Sequence, residues 1–158
     1  MSDTADVGIE FQLEAFSRWM REAVERGLFE AHWKEVGEDR DRIALDLDFQ
    51  KLLTLERVGV LAAFSARESS GGELVGYAMV MVSPHLIYRN DIFAFCQEIY
   101  LHPEHRGHGA ELVRVIEREL RGRGAAKLLF SSKESTRAEE LFGALGYAPS
   151  ERSWGKLL

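Results

Sequence analysis

The chain holds a single cysteine, no long apolar run and no excess of positive charge. With Cys96 alone, an internal disulfide and a multi-cysteine zinc site are both excluded. No run approaches the length of a membrane span, and the opening MSDTADVG lacks the basic and apolar parts of a signal peptide. A cytoplasmic protein without membrane partners is therefore expected. The formal charge of −6 argues against a general nucleic-acid binder, which carries a basic face. Internal repeats and low-complexity tracts are missing. So is a Gly-Lys-Ser/Thr signature, which removes a nucleotide-binding P-loop.

What is present suits one globular domain spanning residues 1–158, large enough for its own core. Val7, Ile9, Phe11 and Leu13 alternate as a short strand. A helical stripe follows through Phe16, Met20, Ala23, Val24 and Leu28, running on toward Trp33. After a charged loop, Gly37–Arg42, Asp48 caps a second helix that ends at Gly59. Val60–Arg67 and Leu74–Val82 read as strands flanking a hairpin signal, Ser69-Ser-Gly-Gly72. Pro84–Asp91 reads as a loop and Ile92–Leu101 as a third strand. Leu112, Val113, Ile116 and Leu120 form the stripe of a helix over Ala110–Arg123, stopped by Gly122 and Gly124. A strand over Lys127–Ser132 follows, then a short helix capped by Ser135 or Thr136 and ended by Gly146. The tail, Tyr147–Leu158, is expected to return as one or two strands. The order predicts an α/β (α+β) mixed sheet flanked by helices.

The most informative stretch is Glu98-Ile-Tyr-Leu-His-Pro-Glu-His-Arg-Gly-His-Gly109. A strand delivers a glycine turn directly to a helix start. Free N–H groups of the first helical turn, together with the helix dipole, make an anion cradle. Residues 106–112 are thus a candidate pyrophosphate site.

Three patterns in this order resemble the GCN5-related N-acetyltransferase (GNAT) family. The first is Glu98–Pro103 with its glycine turn, similar to that family's acetyl-CoA pyrophosphate loop. The second is Ser135-Thr-Arg-Ala138-Glu-Glu-Leu141-Phe142-Gly-Ala-Leu-Gly146-Tyr147, and the third is Leu74-Val-Gly-Tyr77-Ala. The resemblance covers roughly residues 57–148. The charged loop and Leu45-Asp-Leu-Asp48 resemble phage-associated members. The resemblance implies an acyl-CoA N-acyltransferase fold and acetyl-CoA as co-substrate, with no metal. It places the carrier against Tyr100, Leu101, His102, Arg106, Gly107, His108, Gly109, Ala110, Glu111 and Phe142. Glu98 and Tyr100 are its catalytic candidates, and a main-chain N–H near Tyr100–Leu101 would polarise the thioester. The acceptor is a primary amine of a small molecule or peptide, in a pocket walled by the N-terminal helices with Trp33, Glu35 and His85. A homodimer is common among look-alikes.

The chain departs from the family pattern in two places. Counted from Pro103, Arg106 takes the Arg/Gln position of the loop, and Glu111 falls on its second glycine. Counted back from the helix stripe, Gly109 is the last glycine and the loop is two residues short. The stripe favours the second register. Phe142 stands where many members carry a tyrosine that protonates the departing thiolate, and a phenyl ring donates no proton. A thiolate can leave unaided, so such an acid helps without being required.

Other readings stand beside these. Glu98 is either a base or a half-exposed strand residue with a charge partner. By strict alternation Cys96 and Tyr100 share its face. Tyr100 either takes part in the chemistry or packs, and Tyr147 is either a substitute acid or structural. Cys96 is an acyl-carrying nucleophile or a buried thiol. His102, His105 and His108 have a suggestive spacing, but Pro103 and the glycines are expected to keep them apart. Trp19, Trp33 and Trp154 suit core or interface. The alternative to an enzyme is a CoA-binding fold-alike with a structural or regulatory role.

Overall fold

The computed structural model describes residues 8–69, 72–133 and 137–158. Val7, the middle of the Ser69–Gly72 signal and both proposed caps, Ser135 and Thr136, lie outside the described residues. Ten principal elements follow in order: β1 (Ile9–Leu13), α1 (Phe16–Glu25), α2 (Leu28–Val36), α3 (Phe49–Arg57), β2 (Leu61–Glu68), β3 (Leu74–Pro84), β4 (Ile92–Leu101), α4 (Gly109–Gly122), β5 (Ala125–Phe130) and α5 (Ala138–Ala144). A short 3-10 turn, Pro103–His105, links β4 to α4.

The strands lie in the order β1-β2-β3-β4-β5. The first three pairings are antiparallel and the last, β4 with β5, is parallel. Each face of the sheet buries its own apolar layer. On one, Phe16, Trp19, Leu28 and Phe29 pack on Leu61, Ala63, Tyr77, Met79 and Tyr100. Trp19 meets Phe16 edge-on at 4.9 Å and stacks on Tyr77 at 5.5 Å. On the other, Leu112, Ile116 and Leu120 of α4 cover Ala62, Phe64, Ala78, Val80, Ala94 and Cys96. Sealing each of the leucines, isoleucine, valine and phenylalanines among them from water stabilises by about 1.5–3 kcal/mol. Arg67 ties β2 to the start of the chain, pairing with Glu14 at 3.0 Å and Glu22 at 2.8 Å.

The expected mixed sheet is present, with two differences. The N-terminal helical stripe is two helices, because Gly27 takes a left-handed conformation (φ 67°) that reverses the chain after Glu25. Asp48 does cap the following helix, its Oδ1 accepting from Lys51 N at 2.9 Å. The tail forms no strand over residues 147–158. Beyond Tyr147 its side chains bury almost nothing, Trp154 being 90% exposed, and Pro149 offers no ladder donor. Among the described residues no helix is long and apolar enough to cross a membrane.

Candidate active site

Strand β4 pairs with β3 from Ile92 to Leu101 but with β5 only from Ile92 to Cys96. Beyond Cys96 the two parallel strands part, and a cleft of about 1250 Å³ opens between them. His102 N donates to Val75 O on β3. Backbone direction alternates along a strand, so Leu101 N–H, one residue earlier, points to the uncovered side.

The strand also carries a bulge. Met79 faces Glu98 and Val80 faces Cys96, leaving Gln97 as an extra residue. Strict alternation therefore fails. Cys96 lies in the layer beneath α4, whereas Glu98 joins Tyr77, Met79 and Tyr100 on the opposite face. The Cys96 thiol is 3% exposed, burial pushes its pKa up, and it donates to Glu98 O at 3.4 Å. Those are the properties of an inert thiol.

Glu98 lines the cleft with its side chain 45% exposed. Burial raises its carboxyl pKa above the ordinary value, and Lys133 pulls it partly back. Tyr100 is buried against the same cleft, and burial raises its hydroxyl pKa.

Sequence reasoning missed His32. Its Nδ1 stands 2.8 Å from the Tyr77 hydroxyl and 3.6 Å from Glu98 Oε2, and its ring stacks on Tyr100 at 5.0 Å. Burial holds the imidazole pKa down at about 4; Glu35 opposes that shift and Arg106 adds to it. The available signal was its place on the buried stripe of α2, after Leu28 and Phe29. A polar residue on such a stripe has a partner. Trp33 and Glu35 line the cleft as expected, but His85 does not. Its ring packs instead, tilted, against Tyr88 at 4.6 Å and Phe93 at 4.5 Å, at the base of the 85–91 loop.

After β4 the chain turns through Gly107 (φ 111°) and enters α4 at Gly109. Leu112, Val113, Ile116 and Leu120 are buried, in the register the helix stripe favours. Glu111 N and Leu112 N both donate to His108 O. The N–H groups of Gly107, His108, Gly109 and Ala110 meet no acceptor among the described residues. Gly109 is tight against α5, since a Cβ there would lie 3.1 Å from Leu141 Cδ2. Arg106, Gly107, Gly109, Tyr100, Leu101 and Phe142 all line the cleft. The side chains of His102, His108, Ala110 and Glu111 are not part of that lining. The Glu111 carboxylate lies 3.6 Å from His108 Nδ1, with its side chain exposed, and Glu111 does not line the cleft. Arg106 pairs with Glu35 of α2 and sends Nε toward Leu101 O at 3.4 Å, linking the turn to the opposite wall.

The 3-10 turn corrects the expectation that the histidines stay apart. Ligand atoms of His102, Glu104 and His105 lie within 4.8 Å of one another; His108 is outside the group. His105 also reaches Glu68 at 3.1 Å. Phe142 stacks on Phe130 at 4.6 Å. The Tyr147 hydroxyl donates to Glu117 at 2.6 Å, and Tyr147 does not line the cleft. It is therefore not placed to serve as the acid.

A mixed sheet whose parallel strands part beside a helix start with free amides defines the acyl-CoA N-acyltransferase fold. Residues 18–147 match the acetyltransferase (GNAT) family, and the chain belongs to it. GNAT acetyltransferases use acetyl-CoA, and this chain is an N-acetyltransferase by family. Solved structures share the fold at low identity. The ribosomal-protein-alanine N-acetyltransferase of Brucella melitensis biovar Abortus 2308 is 20% identical with a TM-score of 0.68, over 96% of this chain and 99% of that one. An aminoglycoside acetyltransferase from an uncultured soil metagenomic sample is 13% identical with a TM-score of 0.74, over 96% and 99%. AAC(6')-Iy, solved with a CoA bisubstrate analogue, is 20% identical with a TM-score of 0.68, over 96% and 98%. A search of curated proteins finds no match.

Proposed function

We propose that the protein transfers the acetyl group of acetyl-CoA to a primary amine of a small molecule or peptide, by direct attack in a ternary complex. The observation that carries this reading is that Glu98 lines the same cleft as Gly107 and Gly109, two residues of a turn that bears four free amides. The amides of Gly107–Ala110 and the α4 dipole suit a diphosphate. Leu101 N–H, on the uncovered side of β4, suits the thioester oxygen. The amine lone pair forms the C–N bond as the C–S bond breaks, and CoA leaves as its thiolate. The amine proton passes to Glu98, whose raised pKa makes it a better acceptor than an ordinary carboxylate. The solved neighbours named for aminoglycosides and for a ribosomal-protein alanine support an amine acceptor of this kind.

The test is Glu98→Gln. Turnover is expected to fall while CoA affinity, read by calorimetry, stays the same. Undiminished turnover removes Glu98 from the mechanism. Acetyl-CoA at 100 times its Kd is expected to stabilise the fold by about 2.7 kcal/mol. A second reading, a CoA-binding protein without catalysis, draws on Phe142 and on the engaged Tyr147 hydroxyl. Binding of CoA without thiol release across an amine panel would favour it.

A further inference from the structure

Helix α2 contributes one polar side chain to the layer it shares with the sheet. That side chain is His32, 6% exposed. Its Nδ1 sits between the Tyr77 hydroxyl at 2.8 Å and Glu98 Oε2 at 3.6 Å, and Tyr100 stacks on its ring. We propose that His32 is a positioning residue that acts through Glu98: a neutral imidazole, its Nδ1 taken up by the Tyr77 hydroxyl, withholds a hydrogen-bond donor from the carboxylate and so favours the proton-bearing form of Glu98. The proposal rests on the base role given to Glu98 above.

The tautomer follows from the partners. Tyr77 is 2% exposed, and His32 is the hydrogen-bond partner of its hydroxyl among the described residues. Burial, and then the Glu98 charge, keep that phenol protonated. It therefore donates to Nδ1, and the ring proton sits on Nε2. The other tautomer would strand a buried O–H without an acceptor. Since burial also keeps the imidazole neutral, Nδ1 has no proton to offer. A carboxylate beside such a nitrogen gains no donor, so it binds a proton more readily than one that accepts a hydrogen bond there. When the attacking amine gives up its proton, Glu98 gains it. His32 neither gains nor loses one.

The other charged or titratable groups around the pair come from several elements. Lys133, after β5, favours the carboxylate form and opposes His32. Tyr77 on β3 and Tyr100 on β4 flank the imidazole. Cys96 touches only the Glu98 backbone. Glu35 and Arg106, paired with each other, act on His32 with opposite signs. Replacing His32 changes none of these residues but removes the Tyr77 hydroxyl's partner and the ring stacked on Tyr100, so a second variant that keeps the imidazole is needed beside it.

The experiment is the pH profile of kcat/KM with one primary amine, for the wild type, His32→Asn and Tyr77→Phe. In His32→Asn a side-chain N–H faces the carboxylate. The acidic limb is expected to move to lower pH by about one unit, a tenfold change in proton affinity, with a lower kcat. Tyr77→Phe keeps the imidazole but frees Nδ1 to carry the proton and donate to Glu98, so its limb moves the same way. A purely structural His32 would lower the Tm and the amplitude but leave the limb in place. Limbs unmoved in both variants, or moved upward, overturn the proposal. Should His32→Asn fail to fold, Tyr77→Phe decides alone. Glu98→Gln, run in parallel, separates the two readings. Full activity there removes the base role, and His32 with it. Lost turnover with unmoved limbs removes His32 only.

Discussion

Gly76→Ala tests how closely β3 and β4 must approach at the floor of the cleft. Gly76 pairs with Leu101 across the two strands. A Cβ at this position would stand 2.4 Å from Tyr100 O, 2.6 Å from Leu101 Cδ2 and 3.2 Å from Leu101 Cα. Two of these three atoms are backbone, so the strand must move, rather than one side chain. An extra methyl in a packed interior costs about 1–3 kcal/mol. Replacing glycine returns about 0.4–1 kcal/mol by restricting the unfolded chain. The net loss is about 1–2 kcal/mol, or roughly 2–8 °C in Tm for a chain of this length. Gly122→Ala is the control: its Cβ would meet nothing within 4 Å, and it sits in the last turn of α4. There alanine is expected to stabilise, by up to about 1 kcal/mol. Thermal unfolding by circular dichroism reads both. The strand that shifts carries Tyr100 and Leu101, so kcat/KM for acetyl-CoA should also fall in Gly76→Ala well below its Tm. A Gly76→Ala protein as stable as the wild type, or a Gly122→Ala protein that loses as much, refutes the reasoning.

Tyr147→Phe removes the bond to Glu117 and should cost about 1.5 kcal/mol in urea unfolding, with kcat unchanged. A large fall in kcat would return Tyr147 to the candidate acids. For Glu14 and Glu22, burial pushes the carboxyl pKa up, but the Arg67 hydrogen bonds and charge outweigh it and leave both pKa values lowered. A lowered folded pKa gives stability that is full above the ordinary carboxylate value near 4.5 and is lost as pH falls through the folded value. Urea titrations between pH 7 and pH 2 should therefore show an acid-side loss. Arg67→Met should flatten that loss and cost about 2 kcal/mol at neutral pH, less than a fully buried pair would; an unchanged acid slope refutes it. Arg106→Ala should raise the Kd for CoA about tenfold in calorimetry, since a charge-assisted contact is worth about 1.5–3 kcal/mol and part of this guanidinium is already held by Glu35. An unchanged Kd would restrict Arg106 to its pair with Glu35.

The fold was legible where a local rule and the tertiary arrangement agree. The α4 stripe, the Asp48 cap and the three long strands follow from periodicity and capping chemistry, and each is present. The resemblance to the acetyltransferase family joined those pieces into one mixed sheet flanked by helices. Legibility ended where conformation overrides pattern. The stripe from Phe16 to Leu28 keeps its apolar spacing across Gly27, so periodicity alone ran one helix through a reversal of direction. The tail carries Tyr147, Trp154, Leu157 and Leu158, enough apolar residues to suggest strands. A strand also needs a ladder partner and a face to bury, and the tail has neither over residues 147–158.

The site was legible as a set of residues but not as a geometry, and the bulge on β4 explains why. The glycine turn stood out by type and spacing, the family resemblance pointed to Glu98, Tyr100 and Arg106, and all of them line the cleft. Which of them meet depends on Gln97, one residue without a counterpart on β3. Without it, Cys96 and Glu98 would lie on one face, and a thiol would sit beside the carboxylate. With it, the thiol is sealed under α4, and the carboxylate faces the layer that α2 covers. Only on that face can His32 reach it. A bulge is a property of two paired strands, so nothing in the β4 sequence alone announces it. The same holds for His102 and His105, which a single 3-10 turn brings together although Pro103 rules out a continuous helix. Side-chain types thus disclosed the class of chemistry, whereas one unpaired residue and one tight turn determine which groups share a face.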